Sequence, residues 1–275
     1  MPACRAARAP IRRWPAARAG GKVGFIGCVG DDAYGDQLAH GLRQEGIDLS
    51  GLSRVAGPSG VACVITADGD TNMIVGASGA NALLDAQRID EGAFRDARIV
   101  LAQLETPMPS VLHTAMLAQR HGATFILDPA PAQPLSRELL SLTDWLTPNE
   151  GEALALAGGD AASDDPLAIA MLLRQQSARG IVLKLGARGA LLLPEQGEPS
   201  FHPAYDIAAI DTTAAGDAFN GAFAVALSEG ADPRAAVDFA IAASAIAVTR
   251  HGAQTAMASR AEIEAFGASH RRKAQ

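Results

Sequence analysis

Aromatic residues, basic charge and long apolar runs are scarce in this 275-residue chain, and each shortage excludes a class of protein. With 4% aromatic residues, the stacking platforms that hold unpaired nucleic-acid bases are not expected. The net charge of −7 at pH 7 argues further against nucleic acid, which binds basic surfaces. No apolar run reaches the roughly 18 residues of a membrane span. We therefore expect neither a nucleic-acid nor a membrane partner.

Cysteine is also rare, and the three cysteines (Cys4, Cys28 and Cys63) are far apart in the sequence. They form no Cys-x-x-Cys pair, and the six histidines are scattered, so neither a structural zinc site nor a disulfide framework is predicted. This usage is typical of the reducing cytoplasm, which is the expected location. Cys28 and Cys63 lie in apolar runs, where a free cysteine is commonly a buried thiol.

Acidic residues are missing from the start of the chain, since the first acid is Asp31, whereas residues 1–20 contain five arginines. An Arg-rich, acid-poor start is typical of a transit peptide, but Pro2, Pro10 and Pro15 would break the amphipathic helix that such a peptide needs. We therefore expect residues 1–21 to be disordered, or to come from an incorrectly assigned start of the gene.

From Lys22 onwards, short apolar runs alternate with helical patterns, which predicts an α/β fold: a doubly wound, mostly parallel sheet with helices on both faces. Two apolar, strand-like runs, 61–66 and 73–75, do not fit this alternation. They flank Asp68-Gly69-Asp70, a turn signal, and so predict a hairpin. This hairpin would form a small β lid over about residues 57–80. The predicted strands cover 23–29, 61–66, 73–75, 99–104, 124–127, 145–147, 181–185 and 190–193, and the predicted helices cover 34–44, 109–121, 166–179, 216–229 and 233–249, with one more opening near Asn149.

Three common signatures are missing: the run Gly27-Cys28-Val29-Gly30 lacks the dinucleotide-binding spacing, and neither a P-loop nor a Gly-x-Ser-x-Gly elbow occurs. The stretch 211–222, DTTAAGDAFNGA, offers another phosphate-binding device. Small residues precede a predicted helix whose first N–H groups lack intrahelical acceptors and face outward along the positive end of the helix dipole. Asp217, in the first turn, is either an acid favoured by that dipole or a general base beside a phosphate site.

Several motifs follow one another in the order found in one family. Besides DTTAAGDAFNGA, these motifs are Gly27-x-x-Gly30-Asp31-Asp32 with Gly35, Glu45-Gly46-Ile47-Asp48, Gln103-Leu104-Glu105, Asp128-Pro129-Ala130-Pro131-Ala132, Thr147-Pro148-Asn149-Glu150-Gly151-Glu152, Lys184-Leu185-Gly186-Ala187-Arg188-Gly189, and the run from Ala245 to Gln254. On these motifs the chain resembles the ribokinase-like (PfkB) carbohydrate kinases over about residues 22–267.

The resemblance also indicates what is missing. Family members carry two sugar-binding motifs, Asn-x-Asp and Gly-Gly-Lys-Gly-Ala-Asn, and neither occurs in this chain. Gly20-Gly21-Lys22 matches only the start of the second motif, because Val23 follows where Gly-Ala-Asn would be needed. The expected fold is therefore that of the family with its first strand or strands absent. The expected organisation is a kinase domain over residues 22–270 and a tail over 271–275.

The resemblance implies roles for the helix start and for two acids. Asp217 would be the base that deprotonates the sugar hydroxyl, and Glu105 would bind the sugar, although a surface-loop acid is the alternative for Glu105. The anion hole for the γ-phosphate would be formed by Ala214, Ala215 and Gly216.

The resemblance also implies contacts with ATP and with two kinds of cation. Asn149 would contact the nucleotide, although Asn is also a good helix cap there, and Glu152 would orient Mg²⁺ through water. The remaining nucleotide contacts would be Lys184, Leu185, Gly186, Ala187, Arg188, Gly189, Gly216 and Ile241, where an ordinary strand–turn–strand is the alternative for 184–189. An activating K⁺ would lie near Asp211, Thr213, Ala247, Arg250, Gly252 and Ala256.

The implied reaction is ATP-dependent phosphorylation of D-ribose at O5, giving D-ribose 5-phosphate and ADP. Two alternatives remain open: a related kinase acting on deoxyribose, fructose or a nucleoside, and a nucleotide-binding protein that lacks the sugar half of the site. The implied partners are a small sugar and a second copy of the chain, bound through the lid. Two further features have simpler interpretations, since we expect Asp31 and Asp32 to cap a helix and His251 to be a solvated loop residue.

Overall fold

The computed structural model describes residues 13–66, 72–158, 165–176 and 178–274. Within these residues the strands are β1 (Gly27–Gly30), β2 (Leu52–Val55), β3 (Val61–Thr66), β4 (Asn72–Ala77), β5 (Ile99–Ala102), β6 (Thr124–Leu127), β7 (Trp145–Leu146), β8 (Gly180–Lys184), β9 (Gly189–Leu193) and β10 (Ser200–Pro203). The α-helices are α1 (Arg13–Arg18), α2 (Ala33–Gln44), α3 (Met108–Arg120), α4 (Arg137–Ser141), α5 (Glu150–Leu156), α6 (Pro166–Gln175), α7 (Ala215–Ser228), α8 (Pro233–Val248) and α9 (Arg260–Ser269).

The main sheet has six strands in the order β10-β9-β8-β7-β6-β5. Strands β5 to β8 run parallel, and β9 and β10 are added antiparallel. Two smaller pairs stand beside it: β1 and β2 are parallel, and β3 and β4 are antiparallel. The α/β prediction with a mostly parallel sheet is confirmed. Because parallel strands end at one edge, the residues that follow β5, β6, β7 and β8 lie together.

Alternate residues of the central strands face opposite layers of helices, as the period of two in a strand requires. On one face, Ile126 and Val182 pack against α7 and α8. On the other face, Phe125 and Ile181 pack against helices that include α3 and α6. The central strands are therefore mainly apolar, as expected for a sheet that is covered on both sides.

Helix α1 places part of the arginine-rich start inside the protein. Trp14 is only 3% exposed and packs in a cluster that includes Phe25 and Ala214. Arg18 forms an ion pair with Glu45 across the surface. The expected disorder of residues 1–21 is therefore not found over residues 13–21, because this segment buries apolar surface against the rest of the fold. The residues before 13 lie outside the described part of the chain.

The first predicted strand, 23–29, is shorter and displaced in the structure. Regular pairing begins only at Gly27, and the preceding residues make a single bridge from Gly24 to Asp48. The ring of Phe25 lies over Gly27, where an added Cβ would approach it to 2.6 Å.

The predicted hairpin is present as β3 and β4, in register from Val61 opposite Ala77 to Thr66 opposite Asn72. Its predicted turn, 68–70, lies outside the described residues. The chain leading into it is fixed by the two acids before α2. Asp32 caps α2 by accepting from Gly35 N (2.8 Å), and it also accepts from Ser59 Oγ (2.6 Å). Asp31 accepts from Gly57 N (2.9 Å), so the acid pair anchors the base of the lid.

The bonds from Ser59 and Gly35 lower the pKa of Asp32. Cys28 is buried as predicted, and burial raises the pKa of its thiol. The side chain of Cys63 and all of Cys4 lie outside the described residues.

Candidate active site

A cavity of about 520 Å³ opens at the carboxyl edge of the parallel strands. Each strand contributes a polar residue to its wall: Glu105 follows β5, Asp128 follows β6, Asn149 follows β7, and Lys184 ends β8. Helix α7 closes the site with Asp217 in its first turn. The volume of the cavity lies within the range of small-molecule binding sites, roughly 300–1,000 Å³.

The start of α7 is open toward this cavity. Its N-cap residue, Ala214, is buried and makes no side-chain hydrogen bond to the helix. Ala215 N donates to Thr212 O (3.2 Å), and Gly216 and Asp217 follow at the positive end of the dipole. Of the predicted anion-hole residues, Ala215 and Gly216 line the cavity, whereas Ala214 supports them from the core.

A nearly buried ion pair adds a positive charge beside this helix start. Lys184 Nζ lies 2.9 Å from Asp128 Oδ1, with Asp128 0% and Lys184 13% exposed. A Cβ added to Gly216 would lie 3.6 Å from Lys184 Nζ, so the ammonium lies immediately in front of α7. The ammonium and the helix dipole both favour an anion at this point.

Asn149 and Glu152 form a capping box at the start of α5. Asn149 Oδ1 accepts from Glu152 N (2.8 Å), and Glu152 Oε2 accepts from Asn149 N (2.7 Å). The helix-cap interpretation of Asn149 is therefore confirmed. Both side chains also line the cavity, so a contact with a nucleotide or with hydrated Mg²⁺ stays a prediction.

The predicted loop from Lys184 to Gly189 contributes only part of its length to the cavity wall. Gly186, Ala187 and Gly189 line the cavity with Lys184, but Leu185 points into the core and is 2% exposed. Arg188 forms an ion pair with Glu150 on the surface. Gly189 has φ +119°, and a Cβ there would meet a backbone oxygen at 2.0 Å. The predicted contact Ile241 lines the cavity from α8.

The residues predicted around K⁺ are brought together by Asp211. Its carboxylate accepts from Thr213 N and from Gly252 N, both at 2.9 Å. Burial alone would raise the pKa of Asp211, but the hydrogen bonds from Thr213 and Gly252 lower it below its usual value. Arg250 instead turns its side chain to Glu262 (2.6 Å). The other two predicted residues, Ala247 and Ala256, are buried in the cluster that supports Ala214. His251 is exposed, as predicted.

Residues 13–66, 72–158, 165–176 and 178–274 contain no cluster of three or more His, Cys, Asp or Glu suited to a metal ion. A K⁺ site made of backbone carbonyls needs no such cluster. In the same residues, no helix is long and apolar enough to cross a membrane.

The cavity residues that were not assigned from the sequence include Asp128, Gln103 and Lys273. Asp128 and Gln103 each belong to a motif that was recognised, but the motif spacing did not indicate which residues they contact. Lys273 lies in the predicted tail, and nothing in the surrounding sequence indicates a site. Its Nζ donates to Ala187 O (3.1 Å) at the cavity wall.

The family is decided by a comparison with known protein families. The profile described as pfkB family carbohydrate kinase matches residues 14–260. The chain belongs to the pfkB family of carbohydrate kinases. This match begins at residue 14, before the stretch 22–267 over which the sequence resembles the family, and it includes most of α1. The chain is accordingly a kinase of this family.

Individual relatives support the same assignment. The chain is 40% identical to the ribokinase of Haemophilus influenzae over 255 residues, which cover 91% of this chain and 83% of that protein. The crystal structure of a ribokinase from Thermotoga maritima superposes with a TM-score of 0.84 and 38% sequence identity. The match covers 93% of this chain and 85% of the Thermotoga chain. The Arabidopsis thaliana ribokinase complexed with ribose and ATP is 28% identical, with a TM-score of 0.85, and covers 94% of this chain and 86% of its own.

Proposed function

We propose that the protein transfers the γ-phosphoryl group of ATP to O5 of D-ribose, giving D-ribose 5-phosphate and ADP. One observation carries the proposal: a carboxylate, Asp217, and a phosphate-binding arrangement of helix start and ammonium, Lys184 with Gly216, line one cavity. The similarity to ribokinases, including one complexed with ribose and ATP, supports the choice of substrates.

The start of α7 would hold the transferred phosphoryl group. Negative charge on that group is stabilised by N–H donors aimed at it, which cost no reorganisation because the helix fixes them beforehand. Residues Ala214–Gly216 place the positive end of the helix at the site, and the Lys184 ammonium adds a full charge. Asp128 fixes that ammonium from behind, so Lys184 need not be immobilised when ATP binds.

Asp217 would act as the general base. Its carboxylate takes the proton of the ribose O5 hydroxyl while that oxygen forms its bond to the γ-phosphorus, and the bond from phosphorus to the leaving oxygen of ADP breaks. Glu105, after β5 on the same cavity wall, would accept hydrogen bonds from ribose hydroxyls. Asn149, the lining residues of the 184–189 loop and Ile241 would hold the nucleotide.

The site can take Mg²⁺ without a cluster of protein ligands, because Glu152 lines the cavity and Mg²⁺ binds one or two carboxylates together with substrate phosphates and water. Glu152 would hold the ion through water, and when bound the ion would neutralise phosphate charge. An activating K⁺ would take backbone carbonyls near Ala247, Arg250, Gly252 and Ala256. The Asp211 carboxylate, which accepts from Thr213 N and Gly252 N, holds the two loops of this site together.

A coupled assay of ADP release tests the reaction. Ribose, 2-deoxyribose, fructose and a nucleoside are compared at equal concentrations with saturating ATP and Mg²⁺, with and without K⁺. We expect ribose to give the highest kcat/KM and K⁺ to increase it. A higher value for another sugar would contradict the proposed substrate. ATP binding without turnover on any sugar would instead identify a nucleotide-binding protein that lacks catalysis.

We also propose that the lid pairs with the lid of a second copy. The sheet of β3 and β4 has two strands, and an isolated two-stranded sheet is marginally stable in water. Its strand edges therefore favour addition of another strand. Sedimentation velocity should show a dimer at micromolar concentration, and a monomer at every concentration would contradict this arrangement.

A further inference from the structure

A short segment near the end of the described residues, Arg271 to Lys273, lies along the rim of the cavity. We call it the rim segment. Its backbone is paired in an antiparallel sense with the chain after β10, because Asp206 N donates to Arg271 O (3.1 Å) and Lys273 N donates to Ala204 O (2.8 Å). One backbone hydrogen bond on each side of Arg272 therefore fixes the direction of the segment.

The side chain of Arg272 holds the rim segment from the outer side. It donates to Pro203 O (2.7 Å), forms an ion pair with Asp238 (2.9 Å) and lies 4.3 Å from the centre of the Tyr205 ring. Asp238 also contacts His202 Nδ1 (3.0 Å). Burial acts to raise the pKa of Asp238, but His202 and Arg272 outweigh it and keep that pKa low. The segment is therefore attached by charge and stacking as well as by its backbone.

Successive residues of an extended chain point to opposite sides, so Lys273 lies on the inner side and lines the cavity. Its ammonium carries three donors, and Ala187 O accepts one at 3.1 Å. The adjacent wall is apolar, with Ile207 and Ile241. A flat base and its ribose suit such a wall, and a few placed polar groups orient a ligand in it.

We infer that Lys273 is a further nucleotide-binding residue, whose ammonium donates to acceptor atoms on the nucleoside half of ATP. The inference rests on the proposed use of ATP. Lys184 serves the phosphate end of the same cavity, next to Gly216. The two lysines thus address different halves of one ligand. Through the Lys273 side chain, the rim segment also contacts Ala187 in the middle of the 184–189 loop.

The lysine content of the chain makes this testable on the unaltered protein. It has three lysines, Lys22, Lys184 and Lys273, and Lys22 is exposed and outside the cavity. Reductive methylation followed by mass spectrometry measures the labelling rate of each lysine alone, with ATP and with adenosine. We expect ATP to protect Lys184 and Lys273, adenosine to protect Lys273 only, and neither to protect Lys22.

Substitution then distinguishes a direct contact between Lys273 and the nucleotide from mere shielding of Lys273 by a ligand bound nearby. Lys273→Met should weaken adenosine and ATP binding equally, by about tenfold, equivalent to 1.4 kcal/mol, and should raise KM for ATP with little change in kcat. Lys273→Arg should restore most of the affinity, and Lys22→Met is the matched control. Equal labelling of Lys273 with and without adenosine, or unchanged adenosine affinity in Lys273→Met, would overturn the inference. Failure of ATP to bind the unaltered protein would overturn the proposed function itself.

Discussion

Replacing Asp128 by asparagine removes the negative charge that holds the Lys184 ammonium in front of α7. The pair is nearly buried, with a separation of 2.9 Å and exposures of 0% and 13%. Breaking a buried pair by removing one partner costs about 3–5 kcal/mol. Asparagine keeps an oxygen that accepts from Lys184, and Lys184 reaches the cavity, so we expect about 3 kcal/mol. For a domain of this size each 1 kcal/mol lowers Tm by about 2 °C, which predicts a loss of about 6 °C.

Thermal unfolding with and without ATP provides the assay. In Asp128→Asn the bound phosphates replace the lost carboxylate as a counter-charge of Lys184, so saturating ATP should raise Tm more than it does in the unaltered protein. Activity should fall mainly in kcat, because the ammonium is less firmly placed for the transition state.

A double-mutant cycle with Lys184→Met decides whether the pair acts as a unit. We expect the double variant to be more stable than the sum of the two single losses indicates, since residues in direct contact couple by about 0.5–3 kcal/mol. Strictly additive losses, or an ATP-induced rise in Tm equal to that of the unaltered protein, would refute the reasoning.

Three further changes have expected outcomes. Asp217→Ala should reduce kcat by at least about 10²-fold while Tm stays within about 2 °C, and near-normal turnover would remove Asp217 from the mechanism. Hydrogen bonds from Ser259 and Arg250 lower the pKa of Glu262 to about 2, from about 4.3 in the unfolded chain. The contribution of this carboxylate to the free energy of unfolding is therefore fully present above the higher pKa and is lost as pH falls toward the lower one. Glu262→Gln keeps the capping box and should therefore show a smaller loss of unfolding free energy between those two pH values, whereas an unchanged acid transition would contradict this assignment. Gly189→Ala should cost about 2 kcal/mol or more, because φ is +119° and an added Cβ would meet a carbonyl oxygen; urea unfolding measures this, with the exposed Gly46→Ala, also at positive φ but in open space, as the steric control.

Local signals predicted the elements that carry the site. The spacing of apolar residues located β6, β8 and α8 closely, and the small residues before Asp217 indicated the start of α7. Asn149 with Glu152 has the capping-box spacing, which local chemistry alone determines. These features were predictable because each depends on residues within one or two turns of chain.

Other features depend on contacts between distant residues. Asp128 and Lys184 are 56 positions apart, and only the shared edge of β6 and β8 brings their charges together. The prolines of the first segment argued against a helix, yet Pro15 lies in the first turn of α1, where proline is tolerated. Strand β10 is four residues long and ends in proline, so its residue pattern was too short to predict a strand or its pairing with β9.

The two tryptophans of the chain lie on different sides of α7. Trp14 shares a cluster with Ala214 and Ala218 at the start of the helix, and the ring of Trp145 meets that of Phe223, one and a half turns further on, edge to face at 5.6 Å. Any tilt or tightening of α7 on ligand binding changes the surroundings of at least one indole. Intrinsic fluorescence therefore provides a built-in optical reporter for this helix, and Trp14→Phe and Trp145→Phe would show which end of it responds first.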